Sequence, residues 1–213
     1  RARKNADFQA IFLQFRHFQG SNMLSLREKT WYKYSKEPEK HRTNISANSC
    51  KTQIGHPHMN RTPVCYIVSA LPQNHPFQPE SGDLVIAADG GYAQMGGIRA
   101  DLVVGDFDSL GYVPESENVV RHPVEKDDTD TMLAARIGLD RGYRAFLLLG
   151  GVGGRLDHTL ANIQTLAFLR ENGARAALLG EGETITFLQN ESLRFRAGLS
   201  GIFSVFSFGK EAV

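Results

Sequence analysis

From residue 59 onward the chain alternates between short apolar runs and longer amphipathic segments. Short continuous apolar runs are typical of strands that are buried on both faces of a parallel sheet. The six runs span residues 64–70, 84–88, 101–105, 119–124, 145–149 and 174–179. Helical spacing predicts two helices, over 128–141 and 157–172. This alternation predicts an α/β fold, an open and mostly parallel Rossmann-like sheet with helices on both faces.

The first 58 residues lack this organisation. Spaced apolar residues from Phe8 to Phe18 predict a short helix, but no sustained period follows them. The segment has 11 lysines and arginines against 4 acids, whereas the remainder has 13 against 19. We interpret 1–58 as a disordered or non-native leader that precedes Met59. A basic arm that stacks bases on its aromatic residues is the alternative, but the acidic remainder would repel nucleic acid, which we do not expect as a partner.

The end of the chain also changes in character. Residues 184–189, 193–195 and 202–208 are predicted strands with no helix between them. Such a run is typical of antiparallel structure, and we expect it to begin a β-sandwich domain that is incomplete at residue 213. The sequence therefore predicts three parts: 1–58, an α/β domain over 59–182, and 183–213.

Composition limits the classes of protein that need consideration. Apolar residues make up 41% of the 213 positions, and no run of them is long enough to span a bilayer. The basic N-terminus lacks the apolar core of a secretory signal. Cys50 and Cys65 are too few for a disulfide framework and are interpreted as reduced thiols. These features favour a cytoplasmic protein.

Two acidic clusters follow predicted strands. Asp106 and Asp108 alternate after the third strand, so their side chains point the same way and can share a hard cation such as Mg²⁺. The segment KDDTDTM, which begins at Lys126, places three carboxylates at the start of a helix. Helix capping explains one acid there, whereas three crowded acids repel one another unless a cation is present. The capping and metal-binding interpretations both remain open.

Two glycine motifs also follow strands. Glycines 150, 151, 153 and 154 precede Arg155 at the predicted start of a helix. This arrangement lets backbone N–H groups approach phosphate oxygens, and the arginine adds a planar donor. The lysine pattern of a P-loop is absent. Asp89 is followed by Gly90 and Gly91, which by themselves predict only a turn.

Taken in order, the motifs ADGG, VVGDFDS, KDDTDTM and GGVGGRLDHTLAN resemble the successive motifs of the thiamine pyrophosphokinase family. The resemblance covers residues 64 to 208. It implies a nucleotide-binding α/β domain followed by a smaller β-sandwich domain that contributes to thiamine binding, and a homodimer in which thiamine lies between the two kinds of domain. The family's β domain continues beyond the point equivalent to Val213, and that stretch includes thiamine contacts.

The resemblance also implies roles for individual residues. Asp106, Asp108 and Asp130 correspond to Mg²⁺ ligands. Catalytic roles fall on these three together with Asp89 and Arg155. The nucleotide is expected to contact the residues that the other motifs supply, which are Gly90, Gly91, Lys126, Thr129, Arg155, Asp157, His158 and Asn162.

The activity that the resemblance implies is transfer of pyrophosphate from ATP to the hydroxyl of thiamine, with AMP as the leaving group. Such catalysis rests on positioning and on electrostatic stabilisation by Mg²⁺ and cationic groups. Asp89 and Asp130 are both candidates for accepting the hydroxyl proton. Two alternatives remain: a pyrophosphokinase for another small alcohol, such as a hydroxymethyl pterin, or a truncated protein that binds nucleotide without turnover.

Overall fold

The computed structural model describes residues 9–17, 61–72, 77–106, 118–121, 128–191, 193 and 201–209. Six of its strands are parallel and lie side by side in one sheet. They are β2 (Val64–Val68), β3 (Leu84–Ala88), β4 (Leu102–Gly105), β5 (Val119–Arg121), β6 (Ala145–Leu149) and β7 (Arg175–Gly180). Their spatial order is β5-β4-β3-β2-β6-β7. The predicted mostly parallel α/β sheet is therefore confirmed.

Three antiparallel strands extend the sheet beyond β7. They are β8 (Glu183–Leu188), β1 (Gln9–His17) and β9 (Gly201–Gly209), in that spatial order. A separate sandwich domain is not confirmed, because β8 and β9 continue the same sheet in the described part of the chain. The strand expected at 193–195 falls mainly outside the described residues.

The strand β1 corrects two expectations about the start of the chain. A helix was predicted across Phe8 to Phe18, but residues 9–17 are extended and pair with β8 on one side and β9 on the other. Pairing with strands distant in sequence outweighed the local helical spacing. These nine residues are thus part of the fold and not of a leader. Residues 18–58 and Met59 lie outside the described part.

Two α-helices, α1 (Asp130–Asp140) and α2 (Leu156–Glu171), cover one face of the sheet. The first packs on β2, β3 and β4, the second packs on β7 and β8, and the two helices contact each other. Their inner residues join alternate strand residues in one buried apolar cluster that includes Ile67, Ile86, Leu148 and Leu178. Helices on both faces were expected, but among the described elements both α-helices lie on this one face.

The strands β2, β3, β4 and β6 are apolar because their other face is buried too. Tyr66 and Val85 point away from the helix-covered cluster and are still inaccessible, and the ring of Tyr66 lies 5.4 Å from that of Phe77. The thiol of Cys65 is free and buried, and burial raises its pKa. Neither α1 nor α2 combines the length and the apolar character that crossing a bilayer requires.

Candidate functional site

The order of the strands defines where a ligand-binding crevice is expected. From β2 the chain proceeds outward through β3, β4 and β5 on one side, and then crosses over to β6 on the other side of β2. Open α/β sheets bind ligands at the carboxyl ends of the strands beside such a reversal. The motifs singled out in the sequence follow β3, β4 and β6, and α1 begins after β5. The topology therefore gathers them at one edge of the sheet.

Asp89 lies directly after β3, at the start of a 3-10 turn that spans Asp89–Gln94. Its backbone has a φ of 46°, a left-handed conformation that aspartate tolerates better than most residues. Its Oδ1 atom is buried. Gly105, the last residue of β4, comes so close that a Cβ there would lie 3.1 Å from the Cα of Asp89. The ends of β3 and β4 are therefore packed tightly around this carboxylate.

The two glycines after Asp89 are both buried, and Gly91 has a clear structural reason. A Cβ at this position would lie 1.9 Å from the carbonyl oxygen of Val68, the last residue of β2. Only glycine allows this approach, which holds the turn after β3 against the end of β2. The structure thus gives Gly91 a packing role, and its predicted contact with nucleotide stays a prediction.

Asp130 occupies the first turn of α1 and is partly buried. Its pKa is raised from the ordinary value of 3.8 to about 6, chiefly by burial and then by the nearby carboxylates of Asp89 and Asp106. These two carboxylates therefore lie close enough to Asp130 to disfavour its charged form. We call Asp89, Asp106 and Asp130 the acidic cluster. Asp108 and Lys126 lie outside the described residues.

The neighbours of Asp130 confirm the capping interpretation of the KDDTDTM motif, whereas the metal-binding interpretation stays a prediction. Thr129 is the N-cap of α1, and its Oγ1 accepts a hydrogen bond of 3.2 Å from the backbone N–H of Met132. Asp128 turns away and pairs with Arg136, whose Nε lies 2.8 Å from its Oδ2. Capping and pairing thus account for Thr129 and Asp128, whereas Asp130 is left to the acidic cluster.

The glycine-rich turn joins β6 to α2 at the same edge of the sheet. Gly150 has a φ of 65°, and a Cβ on it would lie 2.3 Å from the carbonyl oxygen of Leu71. The side chain of Asn162 is buried and donates a 2.9 Å hydrogen bond to the carbonyl oxygen of Gly151. Asn162 therefore fixes the shape of the turn, and its contact with a nucleotide stays a prediction.

The start of α2 presents charged groups to solvent. Arg155 and Asp157 are 73% and 62% exposed and form a two-point ion pair, with Nε donating to Oδ1 at 3.1 Å. Hydrogen bonding to Arg155 holds the pKa of Asp157 below its ordinary value. His158 is exposed beside them, and its backbone N–H donates to Asp157 at 2.9 Å. A fixed guanidinium therefore stands at the mouth of the glycine-rich turn.

Two residues at this edge were not singled out from the sequence. Ser69 directly follows β2, and its Oγ lies 3.3 Å from the Oγ1 of Thr131 in the first turn of α1. Both residues are buried, with 8% and 7% exposure. The available signal was position: Ser69 is a small polar residue at the carboxyl end of the strand where the topology reverses.

The acidic cluster has the chemistry of a cation site. Carboxylate oxygens are what Mg²⁺ prefers, and a cation would offset the repulsion that raises the pKa of Asp130. Within the described ranges no three histidine, cysteine, aspartate or glutamate side chains are already arranged as a ligand set. The described carboxylates thus suit a cation by donor type and charge but are not arranged as a complete ligand set.

These features define a class: an α/β protein with an acidic site at the switch point of a mostly parallel sheet. Residues 79–178 match the family model described as thiamin pyrophosphokinase, catalytic domain. This match supports the resemblance to the thiamine pyrophosphokinase family that the order of the motifs indicated. The matched segment includes the whole acidic cluster and the glycine-rich turn.

Similar solved structures bear related names. Thiamine pyrophosphokinase from Bacillus subtilis is 26% identical with a TM-score of 0.46, and the match covers 55% of this chain and 60% of that one. A thiamin pyrophosphokinase family protein from Enterococcus faecalis is 30% identical with a TM-score of 0.47, over 55% and 61%. The chain therefore spans about three fifths of the length of these relatives. No curated protein matched.

Proposed function

We propose that this chain carries the ATP- and Mg²⁺-binding part of a thiamine diphosphokinase, which transfers pyrophosphate from ATP to thiamine and releases AMP. The observation that carries the proposal is the acidic cluster at the switch point, inside the segment that matches the family's catalytic domain. Thiamine as acceptor and assembly as a homodimer are parts of the same proposal, and they rest on the family alone.

The acidic cluster would hold the cation. Asp106 at the end of β4 and Asp130 on α1 are the proposed ligands among the described residues, together with Asp108. Bound Mg²⁺ would neutralise phosphate oxygens on which charge develops during the transfer. Asp89, at the tightly packed end of β3, lies beside these two ligands and is the third carboxylate of the site.

The glycine-rich turn would receive the phosphates. It precedes the N-terminus of α2, where backbone N–H groups and the helix dipole favour an anion. Arg155 stands there with its guanidinium held by Asp157, so it is already oriented when a phosphate arrives. His158 and Thr129, exposed at the starts of α2 and α1, are the proposed contacts for the rest of the nucleotide.

The thiamine hydroxyl must lose a proton as its oxygen attacks the β-phosphorus. A general base works best when its pKa is near the operating pH. The pKa of Asp130 is raised to about 6, which brings this carboxylate within reach of that range before a cation binds. Asp89 and Asp130 both remain candidates for this role.

Titration calorimetry of the chain with α,β-methylene-ATP, in which the bond to be cleaved is blocked, tests the proposal. We expect binding that requires Mg²⁺ and that weakens at least tenfold in D106N, because one ligand charge is lost. The matched control is D140N, since Asp140 is exposed at the far end of α1. Metal-independent binding, or equal affinity in D106N and D140N, would refute the assignment of the cation site.

The acceptor is tested separately, by following AMP release from ATP with thiamine or with a hydroxymethyl pterin in a full-length version. Release that depends on thiamine supports the proposed reaction, and release that depends only on the pterin replaces the acceptor while keeping the site.

A further inference from the structure

Ser69 is the residue at which three parts of the proposed site meet. Its backbone N–H donates a 2.8 Å hydrogen bond to the carbonyl oxygen of Leu149, the last residue of β6. Two residues on, the N–H of Leu71 donates to Gly150 at 3.1 Å. The backbone from Ser69 to Leu71 therefore runs along the start of the glycine-rich turn, and a Cβ on Gly150 would lie 2.9 Å from the carbonyl oxygen of Ser69.

The turn after β3 also packs against the backbone of Ser69. A Cβ on Gly91 would lie 3.1 Å from the backbone nitrogen of Ser69, in addition to its clash with Val68. Gly91 is two residues from Asp89 in the same 3-10 turn. The backbone of Ser69 is thus fixed between the segment that carries Asp89 and the segment that would receive phosphate.

The side chain of Ser69 makes the third connection. Its Oγ lies 3.3 Å from the Oγ1 of Thr131, and the contact is buried. Thr131 immediately follows Asp130 in the first turn of α1. This hydroxyl pair joins the end of β2 to the start of the helix, over 62 residues of sequence. The position of Asp130 relative to Asp89 is therefore tied to Ser69.

We propose that the buried hydroxyl pair of Ser69 and Thr131 positions Asp130 against the other carboxylates of the acidic cluster, so that Ser69 is a positioning residue for the cation–nucleotide site. This inference rests on the proposed function. Such a link matters because Asp130, when charged, lies near the carboxylates of Asp89 and Asp106 and is disfavoured by them. An uncharged contact with the end of β2 holds the start of α1 in place without adding charge.

The two roles that the pair can play, stabilising the fold and positioning Asp130, respond differently to paired substitutions. Removing one hydroxyl leaves its partner buried without this contact, so S69A and T131V should each destabilise the fold. Removing both leaves an apolar contact of similar shape, and the double variant should recover much of that loss. The directional link to Asp130 is not recovered, so a defect in positioning should persist in the double variant.

The experiment measures the Mg²⁺ concentration that gives half-maximal binding of α,β-methylene-ATP to the chain, alongside the thermal midpoint. We expect S69A, T131V and the double variant each to need at least threefold more Mg²⁺, while the midpoint of the double variant returns towards that of the parent. T131S keeps the hydroxyl and should match the parent. The control is T165V, which removes a buried helical hydroxyl whose bond goes to Ala161 within α2.

Hydrogen exchange of the cation-free protein gives a readout that does not depend on nucleotide. The amides of Met132 and Leu133 bond to Thr129 at the start of α1. They should exchange faster in S69A and in the double variant than in T165V at matched global stability.

The outcomes distinguish a failure of the positioning role of Ser69 from a failure of the proposed function. If the parent binds the analogue with Mg²⁺ and the double variant has the same Mg²⁺ requirement, Ser69 and Thr131 serve the fold alone, and the inference is wrong while the proposed function stands. If the parent itself shows no Mg²⁺-dependent binding, the proposed function fails and the positioning role fails with it. The first failure appears only in the variants, and the second appears in the parent.

Discussion

Replacing Asp130 with asparagine should stabilise the folded protein at neutral pH while weakening its proposed function. The pKa of this carboxyl is raised to about 6 by burial and by the neighbouring carboxylates. A folded-state pKa above the ordinary 3.8 means that folding disfavours the charged form. The parent therefore loses stability as the pH rises from about 4 to about 6, and the loss is complete above that range. D130N removes the charge and with it this loss.

The size of the effect follows from the same values. The interval from 3.8 to about 6 corresponds to about 3 kcal/mol at 1.36 kcal/mol per pKa unit. Asp130 is only partly buried, and solvent screening reduces the usable figure to about 1–2 kcal/mol. The asparagine also keeps a polar group in the first turn of α1, so little of the gain should be lost through the helix terminus.

Urea unfolding in EDTA, at about pH 4 and about pH 7.5, measures the difference between D130N and the parent. The gain should be present at the higher pH and much smaller at the lower one, where the folded parent's carboxyl is protonated and the unfolded chain's is about half protonated. D140N, which neutralises an exposed acid on the same helix, should show no such pH dependence. Adding Mg²⁺ should stabilise the parent but not D130N. A gain of equal size at both pH values would show that repulsion within the acidic cluster is not its source.

Two further substitutions test how the site is held in place. G91A should destabilise the protein by about 3 kcal/mol or more, because the new Cβ would lie 1.9 Å from the oxygen of Val68. G96A, at an open position with a φ of 58°, should cost only about 1 kcal/mol, and equal losses in thermal melts would contradict the contact. E191A should cost about 2–3 kcal/mol in urea unfolding, since it leaves the largely buried guanidinium of Arg170 without its carboxylate, whereas E191Q should cost less.

The parallel strands β2, β3, β4 and β6 could be predicted from sequence because they are buried on both faces. A run such as 145–149 is apolar at every position, and glycines follow its end. It can therefore be recognised as a strand without knowledge of the strands that pair with it. The strand β1 could not be recognised in this way. Its partners lie more than 160 residues away in β8 and β9, and its apolar spacing is compatible with a helix when considered alone.

The charged residues and the glycines of the site could be predicted from the sequence, whereas its other contacts could not. Asp89 and Asp130 stand out because acids after apolar strands are unusual, and the structure brings them together. The bond from Asn162 to Gly151 is a contact that spacing along the chain does not reveal, and its expected role at the nucleotide stays a prediction. The position of Ser69 at a strand end was only a weak signal, because a small hydroxyl residue is common at strand ends and helix starts.

Three uncharged contacts help to hold the acidic cluster together. Gly105 lies against Asp89, Gly91 lies against the end of β2, and a hydroxyl pair ties Ser69 to the start of α1. Contacts of this kind are insensitive to pH and to salt, whereas the repulsion that they oppose disappears when a cation arrives. Folding therefore brings the carboxylates together before any ligand binds. A bound cation can then relieve electrostatic repulsion that is already present, and it need not first order the site.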